Sequence, residues 1–153
     1  MNAPTRNALS AYTQVGIETS VATASPHQLI SMLYAGALVA IAIAKGHMQR
    51  HEVAAKGLAI SRAIGIINEG LIVSLDEKAG GVLAQNLKAL YEYMSSRLLM
   101  ANLKNDEALL DEVSRLLNEL KGAWDEIGKR PNVAPPPVSD AAPSRAPVSY
   151  GKA

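Results

Sequence analysis

His47 and His51 stand four residues apart, a spacing that on one helix places two imidazoles on the same face and suits a zinc ion. Such a site needs a third ligand, and none is obvious in the surrounding residues. The two histidines also straddle a turn between two helical stretches rather than sharing one helix. Cysteine is absent, which removes thiolate metal sites, thiol nucleophiles and disulfides together. Acidic residues occur in pairs at Asp76-Glu77, Asp106-Glu107, Asp111-Glu112 and Asp125-Glu126. These pairs fall at helix ends and on solvated faces. No E-x-x-H pair of the kind that builds a di-iron bundle is present. The chemistry-bearing residues therefore predict no enzyme, no metal and no cofactor.

Composition narrows the remaining classes. At 153 residues the chain is about one domain long, enough to bury a core without cross-links. A net charge of +1 argues against a nucleic-acid binder that works by neutralising phosphates. The opening stretch, MNAPTRNALSAYTQVGIETS, lacks the apolar run of a signal peptide, so a cytosolic protein is the expectation.

The elements that must carry any function are helical. Residues 26–130 show no strand alternation and divide into four stretches of similar length, about 26–48, 52–75, 82–103 and 106–129. Ser25, Pro26 and Gln28 write a capping box with proline in the first turn, and Asn105-Asp106 caps the last helix. Asp76 to Gly81 breaks the chain between the second and third. Short connections force neighbours antiparallel, so the predicted fold is all-α, an up-down-up-down four-helix bundle over 25–130. Residues 1–24 form a separate N-terminal segment. Residues 131–153 hold six of the eight prolines and are expected to be a disordered tail, dispensable for folding.

The four helices differ in how their apolar residues are distributed. In the last, Leu109, Leu110, Val113, Leu116, Leu117, Leu120, Trp124 and Ile127 fall within roughly 120°, an ordinary core stripe. The second offers Val53, Ile60, Ile64, Ile67, Leu71 and Leu75, and the third Leu83, Leu87, Leu90, Tyr91, Met94, Leu98 and Ala101. The first is different: Leu29 to Ala44 is sixteen residues without a charge, and its large apolar residues spread over roughly 260°. It could be a central helix surrounded on all sides, with Leu9, Tyr12, Val15, Ile17 and Val21 as extra cover. A membrane span is a poorer fit, because the uncharged run falls short of the ~20 residues required. Another reading is a docking groove along this helix, where a partner's apolar segment meets small residues such as Ala35 and Ala42.

Several runs, taken in order, resemble the FliS family of flagellin export chaperones. They begin with A-Y-x-Q-V (Ala11 to Val15), A-S-P-H-Q-L (Ala24 to Leu29) and M-L-Y-x-G-A (Met32 to Ala37). They continue with I-S-R-A-I-x-I-I (Ile60 to Ile67), G-L-x-V-S-L-D (Gly70 to Asp76), Gly80-Gly81 and N-L-x-A-L-Y-x-Y-M (Asn86 to Met94). L-L-x-A-N-L-x-N-D (Leu98 to Asp106) and Ala123-Trp124 complete the series, covering about residues 9 to 127.

The resemblance implies a cytosolic, non-enzymatic chaperone built as an antiparallel helical bundle with a short N-terminal segment capping an apolar surface. It implies as partner the C-terminal segment of unpolymerised flagellin, held back from premature polymerisation and presented to the flagellar type III export gate. Other flagellar regulatory proteins are further expected partners, whereas nucleic acid and membrane insertion are not. The matching positions for binding are Leu9, Tyr12, Gln14 and Val15 in the N-terminal segment, and Pro26, Leu29, Ile30, Leu33 and Tyr34 on the first helix. Leu87 and Tyr91 join them from the third. The pattern departs at Ala35, where the family's run carries an acid, and the proline-rich tail lies outside it. The opposing view of the same residues is a structural or regulatory helical bundle with another partner.

Overall fold

A computed structural model describes residues 24–129, which form four helices and no strand. The expected N-terminal cap, with Leu9, Tyr12, Gln14 and Val15, and the proline-rich tail lie outside the described residues. Helix α1 spans Pro26–Gln49, α2 Val53–Ile66, α3 Glu77–Lys104 and α4 Glu107–Gly128. A π-helical turn, Ile67–Ile72, continues α2.

The starts and stops follow local chemistry. Ser25 Oγ accepts from Gln28 N at 3.1 Å, while Gln28 Oε1 accepts from Ser25 N at 2.8 Å. Both donors are otherwise left over at a helix start, and Pro26 at the first helical position has no N–H to satisfy. His51 takes φ 60 to reverse the chain after α1, and Asn105 takes φ 52 to end α3. Asp76 and Asp106 cap α3 and α4 by accepting from Ala79 N and Ala108 N, each at 3.0 Å.

Contacts between neighbours run in opposite order along the chain. His27 meets Trp124 and Lys45 meets Asp111 at 2.8 Å, so α1 and α4 are antiparallel. Asn68 pairs with Ser95 while Lys56 reaches Asn102, which sets α2 against α3 in the same way. Around the bundle α1 packs on α2 and α4, and α3 packs on the same two.

The apolar character of α1 has a packing explanation. Ala37, Ala40 and Ala44 are buried in the core together with Ala59 and Ala63 of α2. Side chains this small permit close approach, and the α1–α2 interface is the most extensive in the bundle. Ala42, by contrast, faces solvent and Ala35 is half-buried. The surplus predicted along α1 shrinks to Val39 and Ile43, 58% and 42% exposed. A docking groove running along the whole of α1 is therefore not what the packing leaves: its larger apolar side chains Ile30, Leu33, Tyr34, Ile41 and Met48 are buried in the core. By length and composition α1 could also span a membrane, yet 44% of its most apolar window is buried inside the bundle.

Two boundaries differ from those expected. The second helix does not run regularly to residue 75. It widens into the π turn at Ile67, where Gly70 lies against Leu33 so closely that a Cβ there would sit 2.9 Å from Leu33 Cδ2. The third begins earlier, at Glu77, and its first turn is broken by Gly81 at φ 55, ψ −130. Val53, expected in the α2 seam, is exposed because it opens the helix directly after the turn at His51.

One cation is buried in the core's margin. Lys56, 3% exposed, donates to the Asn102 carbonyl at 3.0 Å and to Asn105 Oδ1. It thus satisfies the C-terminal end of α3, where the helix dipole favours positive charge.

Candidate functional site

The described residues leave a recess at the end of the bundle where α1 begins and α4 finishes. A cavity of about 180 Å³ lies there, lined by Ile30 and Tyr34 from α1, Ser74 and Leu75 from the α2–α3 connection, Leu83, Leu87 and Tyr91 from α3, and Leu120, Ala123, Trp124 and Ile127 from α4. Nearly all of these side chains are apolar. Such a lining suits an aliphatic or aromatic side chain from another segment and has little to offer a polar ligand.

At its floor the Tyr34 and Tyr91 hydroxyls lie 2.5 Å apart and both rings are buried. Burial pushes both phenols upward, because the interior disfavours the phenolate; their hydrogen bond opposes this for Tyr34 and reinforces it for Tyr91. Both are neutral across the physiological range. The pair supplies each buried hydroxyl with the partner it would otherwise lack. Tyr34→Phe or Tyr91→Phe is expected to cost about 1–3 kcal/mol, since either orphans the remaining hydroxyl. The double variant is expected to cost less than the sum of the two. A double-mutant cycle by urea denaturation checks this coupling.

On the α4 side a polar rim holds the wall in place. The His27 ring stacks on Trp124 with centroids 4.6 Å apart and planes 7° from parallel. Trp124 Nε1 donates to the His27 carbonyl at 2.9 Å. Ser31 Oγ donates to Asp125 Oδ1 at 2.7 Å, and Lys121 Nζ donates to Asp125 Oδ2 at 2.6 Å. Partial burial works against the ionised form of Asp125, but the Lys121 ammonium and the Ser31 hydroxyl outweigh it and hold the carboxyl below its usual range. Burial lowers His27, partly offset by the Asp125 charge.

The expected site residues separate on this geometry. Ile30, Tyr34, Leu87 and Tyr91 come together as walls and floor of the cavity. Leu33 is buried elsewhere, against Gly70, while Leu29 is half-buried and Pro26 is exposed at the helix start. Ser74, Leu75, Leu83, Leu120, Ala123, Trp124 and Ile127 were not anticipated as site residues. Leu120, Trp124 and Ile127 had the signature of a core stripe, and at the end of a bundle the same stripe becomes a pocket wall. Trp124, the single tryptophan of the chain, was the signal available. His47 instead pairs with Glu52 at 2.6 Å, and no cluster of metal-ligating side chains occurs among the described residues.

Comparison with known proteins places these positions in a family. The family model described as "Flagellar protein FliS" matches residues 8–131. The flagellar secretion chaperone FliSB of Pseudomonas aeruginosa is 52% identical over 120 residues, covering 78% of this chain and 94% of its own length. The flagellar secretion chaperone FliS of Salmonella typhimurium is 46% identical over 126 residues, covering 82% and 93%. That of Bacillus subtilis is 34% identical over 121 residues, covering 79% and 86%. With most of its length matched and its helical bundle intact, the chain belongs to the FliS family of flagellar proteins.

Proposed function

We propose that this protein is a non-enzymatic, cytosolic chaperone of flagellar export that binds the C-terminal segment of unpolymerised flagellin. It keeps that segment from polymerising early and delivers it to the flagellar type III export gate. The observation that carries this reading is the apolar cavity between α1, α3 and α4, at the end of the bundle where α1 begins. The names of the relatives support the export role, and the apolar lining supports an apolar polypeptide as cargo. A filament subunit's terminal segment is apolar so that it can pack inside the filament, and alone it is an aggregation hazard.

Residues 1–24 act in this reading as a displaceable cap. Leu9 and Tyr12 are apolar anchors in a polar stretch, each worth roughly 1.5–3 kcal/mol when fully buried, which a longer apolar segment can exceed. Titrating the full chain with a synthetic C-terminal flagellin peptide tests the proposal. Saturable binding with a negative heat-capacity change is expected, together with delayed flagellin polymerisation. No saturable binding would point instead to a regulatory bundle with another partner. Tyr12→Ala is expected to change the peptide's affinity about fivefold while leaving the melting temperature nearly unchanged.

A further inference from the structure

His27 does not line the cavity, yet it is joined to Trp124 in two ways. The rings stack at 4.6 Å, and the indole N–H donates to the His27 carbonyl at 2.9 Å. The ring also lies directly against the backbone of Gly128. A Cβ at that position would fall 2.3 Å from His27 Nε2, so this seating exists only because residue 128 has no side chain. One turn further along α1, the Ser31–Asp125–Lys121 chain of hydrogen bonds repeats the attachment. The first turns of α1 are thereby fastened to the last turns of α4, and Trp124 is held in one orientation, 5% exposed, as the cavity wall.

We propose that His27 is a positioning residue of the docking pocket: it fixes Trp124 as a ready-made wall, so that the flagellin segment need not order it on binding. The inference rests on the reading that this cavity receives flagellin. Physically, a wall that is correctly placed only part of the time lowers apparent affinity by that fraction. Fixing the indole from outside the pocket removes this penalty without narrowing the space.

Because Trp124 is the only tryptophan, its fluorescence reports on one site. Three variants of the full chain are compared with the parent: His27→Ala, which removes the stack; His27→Phe, which keeps a ring; and Gly128→Ala, which pushes the ring aside. Emission maximum and acrylamide quenching are measured without ligand, and then the dissociation constant for a synthetic C-terminal flagellin peptide. In His27→Ala and Gly128→Ala the emission is expected to shift to longer wavelength, quenching to rise, and the peptide to bind about five- to tenfold more weakly. His27→Phe is expected to restore both. Unchanged quenching in His27→Ala overturns the proposal, and so does changed quenching with parental affinity. A lower melting temperature with parental affinity would reduce His27 to a stabilising role and also overturn it. If His27→Ala fails to fold, His27→Phe and Gly128→Ala carry the same comparison. Failure of the parent chain to bind the peptide would instead sink the flagellin reading, while the quenching arm still decides whether His27 holds Trp124.

Discussion

Leu117→Ala is expected to remove about 2–5 kcal/mol of folding stability while leaving the affinity for flagellin's C-terminal segment unchanged wherever the variant is folded. Leu117 is fully buried at the middle of α4, in the core with Leu110, Val113, Met94 and Leu98. Deleting its isobutyl group forfeits the transfer free energy and leaves a void that rigid helices on every side cannot close. It does not line the cavity at the bundle's end. Urea denaturation measures the stability loss, and a peptide titration in the cold measures the affinity. A large affinity change in a fully folded variant would mean that the cavity and the core are one mechanical unit.

Ala123→Trp is expected to do the reverse. Ala123 lines the cavity from α4 but is itself exposed, so a larger side chain there can turn into the opening without displacing the core. Surface substitutions of this kind usually alter stability by only about ±0.5 kcal/mol. An indole filling the mouth competes directly with an incoming apolar side chain. The peptide is expected to bind at least about tenfold more weakly, a loss of about 1.4 kcal/mol. Calorimetry on the parent and the variant, with matched melting curves, checks both halves. Parental affinity in Ala123→Trp would place the dock on another surface, and the exposed Leu58, Leu99 and Leu103 of α2 and α3 are where it would be sought.

The caps of α1 and α4 were legible in the sequence. Ser25 with Gln28, and Asp106, cap as their spacing predicts, because these hydrogen bonds involve only residues two or three apart. Asp76, read as part of a break, proves to be the cap of α3, because the two glycines that follow it hid the first turn. The α4 stripe was legible for the same kind of reason, since a 3.6-residue period needs no knowledge of neighbours. What depends on other helices was not. The π turn at Ile67–Ile72 coincides with the contact between Gly70 and Leu33, a long-range packing fact with no local signature. The distribution of apolar residues on α1 was correct, but its meaning depended on how closely α2 approaches. Alanines at 37, 40 and 44 bring α2 close, and the surplus surface expected along the helix largely disappears. Seven of the eleven lining residues were not legible, among them Leu120, Trp124 and Ile127, which are indistinguishable from core until the cavity at that end of the bundle is known.

The central claim is that an apolar segment of flagellin docks in the cavity between α1, α3 and α4. The most direct test is a methyl NMR titration of the full chain with a synthetic peptide of flagellin's C-terminal segment. The account predicts the largest shifts at Ile30, Leu83, Leu87, Leu120 and Ile127, whose methyl groups line that cavity. Saturable binding that shifts Leu58, Leu99 and Leu103 while leaving those five unmoved would contradict it.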